Sequence, residues 1–206
     1  MLKDYVVIDL ETTGFSTATC DIIEIGAIKV ENNIVVSVFN ELVNPNRYIP
    51  RNIQKLTGIT NEDVKNCDTI DIALKRLSDY IGNLPLVGFN LPFDYGFLLA
   101  NGVSNGIDFT LKGTQKGIDV LKLARKYFDL PSYKLQDIAN SLHIKPNLEG
   151  STFHRAYYDA YVTYIIYVTM INTFGLKTDI ITPRNLVDDN RMYGKVVNCD
   201  ALSLDA

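Results

Sequence analysis

The chain has 206 residues, 47% of them hydrophobic, with 20 Lys and Arg against 24 Asp and Glu, a formal net charge of −4. That length predicts one domain, or one domain with a tail, and supplies ample material for a single core. The charge argues against a general nucleic-acid coat protein, whose affinity would rest on neutralising many phosphates.

Tyr5 to Leu10, Ile22 to Val30 and Ile34 to Val43 read as strands, the last two joined as a hairpin across Asn32-Asn33. A loop with Pro45 and Pro50 follows, then short helical pieces near Asn52 to Leu56 and Glu62 to Asn66. A better helix is predicted from Asp71 to Ile81, with Leu74, Leu77 and Ile81 on one face. Leu84 to Phe89 is a short buried strand, and helices are expected over Asp94 to Ala100, Val120 to Tyr127, Leu135 to Leu142 and Arg155 to Phe174. Beyond Gly175 the apolar periodicity weakens, and Thr178 to Ala206 reads as a tail, an extra hairpin or a partner-binding segment. The most apolar stretch, from Ala160 to Phe174, is interrupted by Thr163, Thr169, Asn172 and Thr173, and no charged-then-apolar leader opens the sequence. Neither a membrane span nor export is expected, and the predicted location is cytoplasmic. Cys20, Cys67 and Cys199 show no metal-ligand spacing, which fits a reducing compartment.

The first strand ends in Asp9-Leu10-Glu11. Successive strand residues alternate faces, so Asp9 and Glu11 project to the same side. Paired carboxylates at the end of a core strand repel and desolvate each other unless a cation offsets them, and hard oxygen ligands suit Mg²⁺ or Mn²⁺. The alternative is that the strand stops at Asp9 and Glu11 is solvated in a loop. Asp94 follows the Leu86-to-Phe89 strand in what reads as the first turn of a helix, where the helix dipole alone would favour a carboxylate. Asp159 lies five residues after His154. On an ideal helix that spacing is about 140°, so convergence on one site requires His154 to precede the helix that carries Asp159, with Ser151 and Thr152 as plausible caps. A surface histidine is the competing reading. Six basic residues (Lys112, Lys116, Lys122, Arg125, Lys126, Lys134) against two acidic ones (Asp119, Asp129) give this segment +4 and the remainder −8. A phosphate contact and a solvated helix face account for it equally well.

Together, Asp9-Leu10-Glu11-Thr12-Thr13-Gly14, Asn90-Leu91-Pro92-Phe93-Asp94 and the His154/Asp159 pair resemble, in order and spacing, the motifs of the DEDDh family of 3′-to-5′ exonucleases. That family includes the proofreading epsilon subunit of bacterial DNA polymerase III. Leu56 to Thr60 and Asp119 to Arg125 also look like family segments, so the resemblance covers roughly residues 4 to 174. Relatives commonly have His before the Asn of the second motif, where this chain has Phe89; the sister subfamily has Tyr where this chain has Arg155. The histidine variant is therefore the match.

The resemblance implies an α/β, ribonuclease-H-like exonuclease fold, a mixed five-stranded sheet flanked by helices, over residues 1–175, with 176–206 an extension of unassigned role. It implies a two-metal hydrolase using Mg²⁺ or Mn²⁺ that trims single-stranded 3′ ends, DNA before RNA, beside a polymerase in proofreading or repair. An RNA-trimming exonuclease and a non-catalytic polymerase accessory are the alternatives. Asp9 would bridge two ions, Glu11 and Asp159 would hold the one that activates water, Asp94 would support the second, and His154 would be the general base. Thr12 and Thr13 look like the segment that meets the terminal nucleotide, with Gly14 and Asn90 in the same motifs. Phe15 and Phe93 are candidates for stacking on a base, although an aromatic beside a core strand more often packs.

Overall fold

The computed structural model describes residues 2–109, 117–146, 148 and 152–174. Five strands, β1 (Tyr5–Thr12), β2 (Ile22–Glu31), β3 (Ile34–Leu42), β4 (Leu86–Gly88) and β5 (Ile118–Asp119), form one sheet in the order β3-β2-β1-β4-β5. The β1/β2 and β2/β3 pairs are antiparallel, whereas β4 runs parallel to both β1 and β5. The sheet is therefore mixed. Asn32 and Asn33, both at positive φ (51° and 64°), turn the β2–β3 hairpin, as a two-residue connection with right-twisting strands demands.

Seven helices complete the described chain: α1 (Arg51–Thr57), α2 (Asn61–Val64), α3 (Ile70–Ile81), α4 (Leu91–Asn105), α5 (Val120–Tyr127), α6 (Leu135–Ser141) and α7 (Ala156–Phe174). They cover both sheet faces, which is why β1 is apolar at consecutive positions rather than alternating. Tyr5 and Val7 join Ile28 and Val30 in a core closed by α5, α6 and α7. Val6, Ile8 and Leu10 join Ile25 and Ala27 under α3 and α4. A smaller cluster of Ile23, Ile49, Ile53, Ile59 and Val64 seats α1 and α2. Helix α7 is buried on nearly every side, so it is apolar nearly all round.

Strand β1 runs on to Thr12 and β4 is shorter than the expected Leu84 to Phe89, but α4 differs most from the sequence reading. Helix α4 starts at Leu91 instead of Asp94, because Asn90 takes a left-handed turn (φ 61°) and Pro92 falls in the first turn, where its missing N–H costs nothing. It also runs on to Asn105, through Gly102, where a Cβ would lie 2.6 Å from the Ile107 carbonyl oxygen. The two-residue β5 carries no periodicity and was not among the strands read from the pattern. The segment after Gly175 lies outside the described residues. Among the described residues, no helix is long and apolar enough to cross a membrane.

Candidate active site

Strand parity decides where the acidic pair points. Tyr5 and Val7 face α7, so Asp9 and Glu11, next in the same series, face it too. Both lie within β1, which extends to Thr12; Glu11 is therefore not a solvated loop residue. In the antiparallel register Asp9 is opposite Gly26 and Glu11 opposite Glu24. Gly26 lets the helix approach: a Cβ there would sit 2.2 Å from the Ala156 carbonyl carbon and from the Tyr157 nitrogen. With α7 seated on bare backbone opposite Asp9, Asp159 in its first turn comes down beside the strand pair.

His154 stands just ahead of α7, as its spacing from Asp159 requires, in a left-handed conformation (φ 66°). Its N–H donates to Asp159 Oδ2 at 3.1 Å. Asp159 Oδ1 is buried with no hydrogen-bond partner among the described residues. Glu11, His154 and Asp159 each offer a ligand atom, all within 4.8 Å of one another. Asp9 and Asp94 lie outside that triplet. Asp94, 3% exposed in the first turn of α4, accepts the Leu10 N–H at 3.0 Å and so sits against the strand between Asp9 and Glu11.

Burial dominates the electrostatics. Glu11 is pushed up to about 8 by desolvation, then by Asp159, Glu24 and Asp94, with Arg155 pulling the other way. Desolvation raises Asp94 to about 8 against the Leu10 hydrogen bond, and Asp159 to about 7 against the His154 N–H. Asp9 is raised well above the carboxylate range by burial and by Asp94, Asp159, Glu11 and Glu24. Carboxyl groups that resist ionisation in this way, one with an unpartnered buried oxygen, fit divalent cations as their missing partner.

The remaining predicted residues fall around this cluster. Thr12 and Thr13 are buried, and their hydroxyls serve the loop itself: Thr12 Oγ1 donates to the Gly14 carbonyl, and Thr13 Oγ1 accepts the Asp21 N–H. The Thr13 N–H is committed to the Asp21 carbonyl. Phe15 is 87% exposed and meets the half-buried Phe93 edge-on, ring centroids 6.3 Å apart. Asn90 is exposed, its N–H held by Asp119 Oδ1 at 3.0 Å. Phe89, where the second motif departs from the family pattern, is partly buried and packs against the core. Ser151 lies outside the described residues, and the Thr152 hydroxyl bonds the Phe153 carbonyl instead of capping α7. The first N–H of that helix is taken by Glu24, on another strand. Glu24 is the residue the sequence reading missed. Its only signal was one acidic position inside the apolar run Ile22-Ile23-Glu24-Ile25-Gly26-Ala27-Ile28.

The family model described as Exonuclease, RNase_T, matches residues 6–167. The chain belongs to this exonuclease family. The exonuclease is 42% identical over 161 residues to a PolC-type DNA polymerase III of Clostridium perfringens, a match covering 78% of this chain and 11% of that protein. It is 33% identical over 180 residues to the DNA polymerase III epsilon subunit of Aquifex aeolicus, covering 85% and 84% of the two chains. The exonuclease thus spans about a tenth of the PolC-type relatives it matches. Among solved structures, Exonuclease X in complex with 5′-overhanging duplex DNA superposes with a TM-score of 0.64 at 23% identity, covering 84% of this chain and 95% of that one. E. coli Exonuclease I in complex with an oligonucleotide does so with a TM-score of 0.70 at 16% identity, covering 82% and 41%. These two show the fold, the ribonuclease-H-like arrangement expected from the resemblance.

Proposed function

We propose that the exonuclease removes 5′-mononucleotides one at a time from a single-stranded 3′ end, preferring DNA, in proofreading or repair beside a polymerase in the cytoplasm. The observation that carries this reading is the gathering of Asp9, Glu11, Asp94, His154 and Asp159 from β1, α4 and the start of α7 at one end of the sheet. Asp9, Glu11, Asp94 and Asp159 would hold two divalent ions, Mg²⁺ or Mn²⁺. When bound, such ions supply positive charge to the phosphoryl and leaving oxygens and lower the pKa of a coordinated water. His154, exposed and beside Asp159, accepts the proton of the attacking water. The new bond forms between that water oxygen and phosphorus; the bond to the 3′ oxygen of the next nucleotide breaks, and that oxygen takes the electron pair.

Phe15 and Phe93 present an exposed aromatic edge on which the terminal base stacks, and Asn90 stands exposed at the start of α4. The basic residues Lys122, Arg125 and Lys126 are exposed on α5, which begins at the same end of the sheet. They are read as phosphate contacts for the strand behind the terminus. Lys112 and Lys116 lie outside the described residues. Incubating the full chain and Mn²⁺ with end-labelled single-stranded DNA, frayed and matched duplexes, and RNA tests the proposal. Unpairing a terminus costs on the order of a few kcal/mol, so single strands and mismatched ends should be shortened faster than matched ends. Cutting of circular single strands, or equal rates on matched and frayed ends, contradicts it. Faster degradation of RNA keeps the mechanism and moves the role to RNA processing, and absence of hydrolysis with every substrate leaves a non-catalytic accessory.

A further inference from the structure

Glu24, the third residue of β2, is 1% exposed, and a carboxylate buried there needs partners. Arg155 supplies most of them. Its Nε donates to both Glu24 oxygens at 3.1 Å, and its Nη2 donates to Oε1 at 2.6 Å. The Ala156 N–H donates to Oε2 at 2.8 Å. Ala156 opens α7, so a strand residue far away in sequence satisfies one of the orphan amides of that helix.

Arg155 connects this anchor to the reacting end of the molecule. Its side chain is fixed to β2, while its carbonyl accepts the Asp159 N–H at 3.0 Å. Its chain neighbour His154, at φ 66°, donates back to the Asp159 carboxylate. The same helix start rests on Gly26. Glu11, on β1, and His154 and Asp159, at the start of α7, each offer a ligand atom within 4.8 Å of one another, so the seating of the first turn of α7 sets their spacing. A forked guanidinium bound at two points fixes angle as well as distance, which a lysine ammonium cannot do.

We propose that Glu24 and Arg155 are positioning residues for hydrolysis: their ion pair clamps the first turn of α7 to β2, so that His154 and Asp159 hold their working places before cation and substrate arrive. Neither residue touches the reacting atoms. The proposal rests on the exonuclease reading above.

The full-length variants Glu24→Gln, Arg155→Gln, Arg155→Lys and the Glu24→Gln/Arg155→Gln double test it, assayed on labelled single-stranded DNA with saturating Mn²⁺ at a temperature where all are folded. A displacement of about 1 Å can cost about 100-fold in rate. The variants are therefore expected to lose roughly 10- to 100-fold in kcat while KM for DNA changes less than about threefold. Arg155→Lys should recover little of the Arg155→Gln loss, and the double should be no worse than the poorer single, as for groups acting as one unit. Amide hydrogen exchange over residues 154–159 of the metal-free protein should be faster in every variant. Wild-type kcat and exchange in folded variants, with only a lower Tm, would reduce the pair to a structural one and overturn the proposal; so would losses that simply add in the double. Should Glu24→Gln fail to fold, the Arg155 variants decide, since that side chain is 34% exposed. If the wild type degrades no nucleic acid, the exonuclease reading fails, while the exchange comparison still tests the clamp.

Discussion

Raising the pH of the metal-free protein should destabilise it, and Mn²⁺ should reverse the effect. In the folded chain Glu11 and Asp94 keep their protons up to about 8 and Asp159 up to about 7, whereas in the unfolded chain such groups ionise near pH 4. Between those limits the folded state binds more protons than the unfolded one, so stability falls as pH rises from about 4 through 8. The repulsion alone is substantial. Glu11 and Asp159 offer oxygens within 4.8 Å, and two unit charges at that distance in an effective dielectric of about 20 interact by about 3.5 kcal/mol. A domain is stable by only about 5 to 15 kcal/mol, so full ionisation of the cluster removes a large share. Glu11→Gln should therefore raise the metal-free Tm at pH 8.5 by roughly 10 °C, taking about 2 to 4 °C per kcal/mol for a chain of this size. It should also flatten the pH slope by about 1.4 kcal/mol per pH unit, the value for one proton. Thermal and urea unfolding from pH 5 to 9, in EDTA and in Mn²⁺, measure both. A flat profile in EDTA for the wild type, or an unchanged slope in Glu11→Gln, would mean that these carboxylates ionise without cost and that the desolvated cluster does not exist.

Replacing the proposed base should cost about 10²- to 10⁴-fold in turnover with the Mn²⁺ stabilisation intact; His154→Asn is the better variant because Asn tolerates the left-handed backbone at φ 66°. His143→Asn, at another exposed left-handed position, should match the wild type. Asp9→Ala should abolish most of the Mn²⁺-induced rise in Tm, and an undiminished rise would remove Asp9 from the ligand set. Gly26→Ala should lower Tm sharply and reduce activity, because its Cβ meets the Ala156 backbone at 2.2 Å; wild-type behaviour would show that α7 can retreat without harm. Neutralising Lys122, Arg125 and Lys126 to Gln should raise KM for DNA and shallow its salt dependence, by about 0.7 per lost phosphate contact on a log–log plot for single strands, with kcat unchanged.

Much of this architecture was legible in the chain because its signals are local. The Asn32-Asn33 turn, the apolar strands and the helices α3, α5 and α7 follow from periodicity and turn chemistry. The candidate cluster was readable because the parity of β1 and the offset of five between His154 and Asp159 constrain geometry directly. What sequence left hidden is non-local. β5 exists only through its pairing with β4; the cap of α7 comes from Glu24, 132 positions from the Ala156 amide it holds; and the Asn90 N–H ahead of α4 is held by Asp119 from β5. A pattern read along the chain cannot see a partner that arrives from another strand.

The scattering of the acidic groups has a consequence for the life of the polypeptide as it leaves the ribosome. Asp9 and Glu11 emerge first, Asp94 only after β4 has been made, and Asp159 last, in the helix that closes the sheet. A nascent or broken chain ending before α7 carries the strand pair but neither His154 nor Asp159, and its β1 face stays uncovered. On the reading proposed above, hydrolysis would await the docking of the last described helix, because the candidate base and one candidate ligand arrive with it. Such distant contacts must be made late and at an entropic cost.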